Sequence, residues 1–560
     1  MTPARSAARG LCALARLLVP GLAAITSLAA GAQDFPHSKL TVQGAAQVQV
    51  YVNGQYLGKS AGASRLALYA RSLVPGDNVL ALRASAAAAP YVVAELAGPF
   101  GRLGSGSLWR AAPAATAGSS LAWTQAAYDD SAWALALDEG ATMPQGFPTG
   151  GPAHRMWLAA APAGDVLLRA RVYLPSAPVD VPGGMGSWVS GGAGGEVVTV
   201  STPQALQSAL CGASVAGVCS DATPRIIQVA GAIDFTGSEG STSRPGCWPN
   251  PLCPAPMANE RLALLNGADT HCAGKTLFDV VFDKAGAEPL VVGSNKTLVG
   301  LGNDAALRGK GLFIGHGASN VIVRNLTIER INQGVVFAGD GITLDGADRV
   351  WIDHDRFDRI GRQMIVSGYG PASNVTISWN DFDGSDEISS YCNGRHYWNL
   401  LMLGEGDRIT LADNWVRHFA GRAPHVGAGA GSMSLMHIVD NEFDDGSWHA
   451  LDAYQPARVL MEGNAFEGVA VPILDSPGAG FVWASLGVPT AAHQQSCTSF
   501  LGRPCAGNLS EPAPQPDNFR HDLTVLDYFQ KFVPAADRPA PFAADAVGRA
   551  IPFLAGPGHL

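Results

Sequence analysis

Between Asp340 and Val426 the chain collects side chains that could act together on a sugar bearing a carboxyl group. These are Asp340, Arg362 and Arg422, with Trp351, His396, Trp398 and Pro424 among them. Two arginines can stabilise negative charge that develops on a carboxyl-derived oxygen, because donors fixed where charge appears lower the barrier to forming it. Asp340 could orient one of them, and flat indoles suit the apolar faces of a sugar ring. Read alone, either arginine is equally a surface ion pair and Asp340 a turn residue that caps its own backbone. Asp345, Asp353 and His354 read as turn and ladder residues. His396, His418, His425 and His449 show no i, i+4 pairing and no serine partner, which supports neither a nucleophile triad nor a metal site.

The elements that must position these residues come from an internal repeat. Aligning VIVRNLTI, VWIDHDRF, VTISWNDF, ITLADNWV, LMHIVDNEF and VLMEGNAF puts Asn325, Asp355, Asn380, Asn414, Asn441 and Asn464 in one column, at spacings of 30, 25, 34, 27 and 23 residues. A period of that size means a solenoid. Each unit is an alternating apolar strand, a small polar residue at a turn, and a second strand entry. The expected fold is therefore all-β, a right-handed parallel β-helix whose stacked amides satisfy turn groups along the axis. The LxxLxL signature of a leucine-rich horseshoe is missing. Irregular lengths between units fall on loops, which in a solenoid gather on the binding side. Trp351 and Trp415, on strand positions, read as packing between coils.

The blocks GDGITLD, WIDH, IGRQ, CNGRHYW and GRAP, in that order over about ninety residues, resemble the pectin lyase branch of polysaccharide lyase family 1. That resemblance implies β-elimination at a uronosyl residue. A base removes the C5 proton, an electrophile stabilises the enolate, and the C4 oxygen leaves. It assigns the base to Arg422 of GRAP; Arg362 is then the natural donor to the enolate oxygen, and Asp340, which lies across from Arg362 if the coils stack in register, orients it. It places Trp248 and Trp398 as cleft tryptophans, with Phe337 (a tryptophan in the family) and His396 completing the expected substrate contacts. Calcium-dependent pectate lyases resemble this chain too, but carry a DGxxD pair where it reads IGRQM, so Ile360 and Met364 stand at the acid positions. Hard Ca²⁺ needs several oxygen ligands, so the expectation is a site with no metal and no cofactor. The implied partner is then the neutral methyl ester, pectin as methyl-esterified homogalacturonan. Three readings compete: a calcium-dependent pectate lyase, a non-catalytic β-helix binder or adhesin, and a glycoside hydrolase. The last would need paired carboxylates at defined separation, and of the polygalacturonase blocks NTD and GHG, NTD does not occur.

The remainder of the chain is expected to be secreted. Arg5 and Arg9, an apolar run from Leu11 to Leu28, and Ala30-Gly31-Ala32 form a signal over 1–32. Arg16 and Pro20 break that run below the ~20 apolar residues a bilayer requires, and no later segment qualifies. Residues 33–175 alternate in short runs such as VQVYVNGQYLG, with a hairpin signal at Asn53-Gly54. This predicts a β-sandwich, loosely similar to the galactose-binding-like jelly roll, as a spacer or carbohydrate-binding module. Its Trp109, Trp123, Trp133 and Trp157 read as core. The Gly/Pro/Ser-rich stretch 176–195 has little to pack and reads as a linker. The β-helix is then expected over 196–560, opening with a strand and a helix capped at Ser201 or Thr202.

Composition agrees. In 560 residues there are 67 Gly and 37 Pro, with 15% charged and 47% hydrophobic, a balance for a folded, turn-rich chain and against disorder. The net charge of −10 and the absence of a basic run exclude a nucleic-acid backbone as partner. A monomer is expected. Cys12 would leave with the signal, and eight cysteines remain, an even set suited to an oxidising compartment. Pairing is open on sequence grounds. The family resemblance implies Cys247 with Cys272, Cys253 with Cys392 and Cys497 with Cys505, which leaves Cys211 with Cys219.

Overall fold

A computed structural model describes residues 38–560, apart from 71, 75, 99–100, 107–108, 146, 148–152, 160–163, 175–181, 251–252, 254–258, 268–270, 369, 428–432, 515–517, 540, 542–543 and 548–550. The expected signal, with Cys12, and the first part of the expected linker lie outside the described residues.

Two antiparallel six-stranded sheets make up the N-terminal part. In one, Lys39–Gly44 lies between Leu66–Tyr69 and Val92–Gly98; in the other, Gly76–Ala84 lies between Val48–Val52 and Val166–Leu174. Side chains alternate across a strand, so Leu40 and Val42 of one sheet meet Val50, Leu80, Leu82 and Leu168 of the other in a single core. Asn53 and Gly54 both take positive φ, 49° and 85°, as a two-residue hairpin turn requires. Trp109, Trp123, Trp133 and Trp157 are all buried, so none is a sugar platform.

From Glu196 onward the chain winds as a parallel β-helix. A 17-stranded sheet and an eight-stranded sheet run along it, and every pairing within them is parallel. The large sheet supplies two walls, since each coil enters it twice: Ala347–Asp353 pairs with Ala372–Ser378, and Arg356–Ile360 with Asp381–Asp383. Inside, like stacks on like. Ile352, Ile377 and Leu411 share a register column, as do Phe357 and Phe382, whose rings stack at 5.1 Å. Burying each of these side chains is worth about 1.5–3 kcal/mol. The opening helix, Pro203–Cys211, is capped by Thr202. All four disulfides have the implied partners: Cys211–Cys219, Cys247–Cys272, Cys253–Cys392 and Cys497–Cys505.

The corner between the two walls is a polar ladder. The amides of Asn380, Asn414, Asn441 and Asn464 each donate to the oxygen of the next coil's asparagine at 2.8–2.9 Å, and Asn508 ends the run. Asn508 was outside the sequence column because helix Ala491–Leu501 is inserted before it. Asn325 does not belong to the ladder. It sits one position early, in the left-handed conformation (φ 59°) that His354, Trp379, Asp413 and Asp440 take in their own coils, and bonds Gly300 and Gly302 instead. Leu326 occupies the ladder position there and donates its N–H to Asp355. Asp355 interrupts the amides. Its Oδ2 has no hydrogen-bond partner among the described residues, and burial pushes its carboxyl well above the usual value.

The second half of the expected linker is packed, contrary to the reading from composition. Pro182 to Gly195 runs across the coils, with Met185 N–H on Thr410, Gly186 N–H on Thr376, Gly191 N–H on Asn320 and Gly192 N–H on Thr297, at 2.9–3.1 Å. Glycine is needed at 186, where a Cβ would fall 2.8 Å from the Thr376 hydroxyl. Met185 joins Leu435, Leu460 and Trp483, and Val189 joins Ile322 and Trp351. The N-terminal sheets add Lys39, whose buried ammonium is pushed below its ordinary pKa by desolvation and opposed in this by the charges of Asp440 and Asp413 at the ladder corner.

Two outcomes follow from this packing. Asp355→Asn completes the ladder and should raise Tm by the equivalent of about 1 kcal/mol, one buried hydrogen bond. Because the Asp355 carboxyl is raised in the fold, its native form is favoured below the ordinary 3.8 and penalised as pH rises, so thermal denaturation should show the larger gain at neutral pH. A fragment beginning at Pro182 should melt at higher temperature than one beginning at Gly195, which lacks Met185 and Val189.

Candidate active site

The eight-stranded sheet positions the site. Asp340 precedes the strand Ile342–Asp345, Arg362 precedes Ile365–Ser367, Trp398 precedes Leu400–Met402, and Arg422 precedes His425–Val426. Ile342 pairs with Ile365, Ile365 with Leu400, and Leu401 with His425, so the four residues form one row along the edge where these strands begin. Neighbouring strands lie about 4.8 Å apart, which puts the main chains of Arg362 and Arg422, with the Trp398 coil between them, on the order of 10 Å apart.

At one end, Arg362 Nη1 donates to Asp340 Oδ2 at 2.8 Å, and the other Asp340 oxygen accepts the Gln363 N–H at 2.8 Å. Desolvation pushes the Asp340 carboxyl up even with Arg362 beside it. Further along, the Arg422 guanidinium has no ion pair or hydrogen bond among the described residues. It rests instead on aromatic faces, 4.5 Å from the Trp398 centroid and 5.4 Å from that of Tyr397. Arg362 stands over Phe337 at 5.3 Å, and Phe337 meets Trp398 edge-on at 6.1 Å. Each guanidinium therefore rests on one of two touching rings, a contact worth about 0.5–2 kcal/mol by position. Phe337, Asp340 and Arg362 line a cleft of about 300 Å³ with Arg244, Asn266 and Pro289.

Three expectations change here. His396 does not face substrate. It is 1% exposed, its Nε2–H donates to the carbonyls of Arg362 and Trp398 at 2.9 and 2.8 Å, and burial, reinforced by Arg261, holds it neutral and well below its ordinary pKa. Trp398 is likewise no open platform: at 3% exposure it underlies Arg422, with its indole N–H on Ser390. Ile360 and Met364 are core residues with no exposed surface, so neither position reaches the cleft. The residue between them that does is Arg362, a cation. Trp248, 37% exposed and against Phe278 at 6.1 Å, remains an available platform.

Several residues of the site carried no sequence signal. Arg261, fully buried, pairs with Asp386 and donates to Gly361 O at 2.9 Å, which fixes the segment entering Arg362. Trp448, 40% exposed, stacks on Tyr397 at 6.2 Å, and Tyr391 closes on both. An exposed aromatic wall thus stands one coil beyond Arg422. The triplet Gly315-His316-Gly317 matches a polygalacturonase block, yet it lies at the opposite end of its strand from the Asp340 row, with His316 on Phe313. Among the described residues no cluster of three or more His, Cys, Asp or Glu is arranged to hold a metal ion.

The strand edge of this parallel β-helix thus carries an Asp-supported arginine, a second arginine with no ion pair among the described residues, and flanking aromatic rings. Comparison with known proteins gives the family. A pectate lyase family model matches residues 258–476. The chain is 37% identical to a probable pectin lyase F of Neosartorya fischeri over 383 residues, 65% of this chain and 94% of that one. It is 37% identical to a probable pectin lyase E of Aspergillus fumigatus over 376 residues, again 65% and 94%, and 39% identical to a probable pectin lyase F-1 of Aspergillus terreus over 336 residues, 58% and 85%. A Bacillus sp. N165 pectate lyase solved with trigalacturonate overlays 67% of this chain and 99% of its own, at 18% identity and a TM-score of 0.43. The chain belongs to polysaccharide lyase family 1, the pectate and pectin lyases, and is a polysaccharide lyase.

If the aromatic wall contacts substrate, Trp448→Ala should raise KM on long polymers several-fold while leaving kcat near its starting value. An unchanged KM in steady-state assays would remove the wall from the cleft.

Proposed function

We propose that the chain is an exported pectin lyase that cleaves α-1,4 bonds of methyl-esterified polygalacturonan by β-elimination without calcium. The observation that carries this is the unlike pair of guanidiniums, that of Arg362 held by Asp340 and that of Arg422 resting, among the described residues, on rings alone. In the reaction, Arg422 takes the C5 proton, and the C–H electron pair moves into the ester carbonyl. The enolate oxygen accepts hydrogen bonds from Arg362. Its electrons then return to form the C4–C5 double bond as the C4–O bond breaks, and the departing oxygen gains a proton from solvent. A charged guanidinium has no lone pair to give, so the step requires Arg422 to have released one proton to solvent before it meets C5. Among the described residues it has no carboxylate partner to favour the charged form.

Charge favours the ester. Asp340 already neutralises Arg362 in a poorly solvated spot, and a substrate carboxylate would bring a like charge beside it. The ester carbonyl also accepts developing charge better than an anion does. The fixed cation of Arg362 supplies what a bound Ca²⁺ would otherwise supply. Four disulfides suit an oxidising, extracellular setting, and no described helix is long and apolar enough to cross a membrane.

The test measures ultraviolet absorbance of the unsaturated product on esterified and de-esterified polymer, with and without EDTA. Turnover of the ester that survives chelation supports the proposal. Dependence on added Ca²⁺ with de-esterified polymer would replace it with a pectate lyase, and no absorbance on either would leave only a binder. Arg422→Lys, which moves the nitrogen that must meet the proton, should lose roughly 10²–10⁴-fold in kcat with KM little changed.

A further inference from the structure

Arg422 is held in a conformation it would not adopt unaided. Its φ is +48°, in the left-handed region disfavoured for residues with a Cβ. Three main-chain contacts fix it there. The Leu400 N–H donates to Arg422 O at 2.7 Å, the Ala423 N–H donates to Ala450 O at 2.9 Å, and the Arg422 N–H donates to His449 Nε2 at 3.2 Å. Only the last depends on a side chain.

We propose that His449 is a positioning residue for the reaction, its neutral imidazole accepting the Arg422 N–H and so aiming the guanidinium across Trp398. This rests on the reading of Arg422 as the base. The ring is 1% exposed and lies between aromatic neighbours, Trp448 at 4.5 Å and Tyr397 at 6.0 Å, both edge-on. Gly421 leaves the room: a Cβ there would stand 2.5 Å from Tyr397 Cε2 and 3.0 Å from His449 Cε1. For Nε2 to accept, the proton must be on Nδ1, and Nδ1 is buried without a hydrogen-bond partner among the described residues. A buried donor left unmade is costly, so the ring is arranged for its acceptor and not for its own satisfaction.

The charged groups facing the ring are Asp452, with Oδ2 4.0 Å from Nε2, His425, which takes the same Asp452 oxygen at 2.8 Å, and Arg422. Desolvation lowers His449 to about 4, with Asp452 opposing and His425 and Arg422 reinforcing. Because the folded value is depressed, the neutral arrangement is complete above the ordinary 6.5 and is lost as pH falls through about 4. Protonation would then set an Nε2–H against the Arg422 N–H, and the two donors would part.

The experiment compares the full-length enzyme with His449→Ala and His449→Gln on methyl-esterified pectin across pH. Misplacement of the base should cost the alanine variant on the order of 10²-fold in kcat, with KM little changed. Glutamine offers an oxygen to the same N–H but does not titrate, so it should recover part of that loss and carry the acid limb to lower pH. Wild-type kcat in His449→Ala, or an acid limb in His449→Gln that superposes on wild type, overturns the proposal. ¹⁵N-histidine NMR of the unaltered protein gives a readout independent of folding of the variants. The His449 imidazole, assigned through its proximity to the Arg422 amide, should stay neutral with its proton on Nδ1 down to about pH 4, and a proton on Nε2 of that ring would refute it. If the wild-type enzyme releases no unsaturated product, the lyase reading falls first; if it turns over and His449→Ala matches it, only the role of His449 falls.

Discussion

Everything at the cleft depends on the register of one parallel ladder. Main-chain hydrogen bonds lock Ile342 to Ile365, Ile365 to Leu400, and Leu401 to His425. A slip of one residue would turn every side chain to the opposite face. In this row a slip would turn the apolar side chains that now face inward, such as Ile365 and Leu400, toward solvent. The apolar columns oppose that, since Ile360 and Met364 are wholly enclosed. The interior therefore sets which atoms meet the substrate, although it never touches it.

Parallel strands alone do not fix an arginine. Behind the row lies a second set of polar contacts that act on the backbone. Arg261 holds Gly361, His396 ties the Arg362 and Trp398 carbonyls together, and His449 takes the Arg422 N–H. Removing one partner of the buried Arg261–Asp386 pair would strand the other charge, a change that costs about 3–5 kcal/mol in comparable cases. The Cys247–Cys272 and Cys253–Cys392 links anchor the loops that carry Trp248 and Tyr391. Rigid coils, pinned carbonyls and tethered loops hold the backbone from which the two guanidiniums project.

Much of this was legible in the sequence, for reasons that are local. Asparagines recur at the corner because a buried turn needs an amide that both donates and accepts, and that requirement writes a visible period. The pairing of Asp340 with Arg362 followed from coils stacking in register. What was hidden depends on depth and on neighbours distant in the chain. His396 sits in the same motif as Trp398, yet composition cannot say that both face inward. Asn325 fits the column by type but falls one residue out of phase, because a left-handed turn residue and a ladder residue are both commonly asparagine. The stretch from Pro182 to Gly195 reads as a linker because glycines have nothing to bury, whereas here their bareness lets the chain lie against Thr376 and Thr410. Trp448 and His449 follow a loop Gly-Ser pair and gain meaning only beside Tyr397 and Arg422.

The central claim is that Arg362 meets the ester oxygen while Arg422 meets the C5 proton of the same sugar. A crystal structure of the Arg422→Lys enzyme with a methyl-esterified oligogalacturonide tests it directly. The account predicts one ester carbonyl oxygen within hydrogen-bond reach of Arg362, the C5–H of that sugar aimed at residue 422, and the next ring toward Trp448. A saccharide whose ester points away from Arg362, or whose C5–H faces any other side chain, would contradict it.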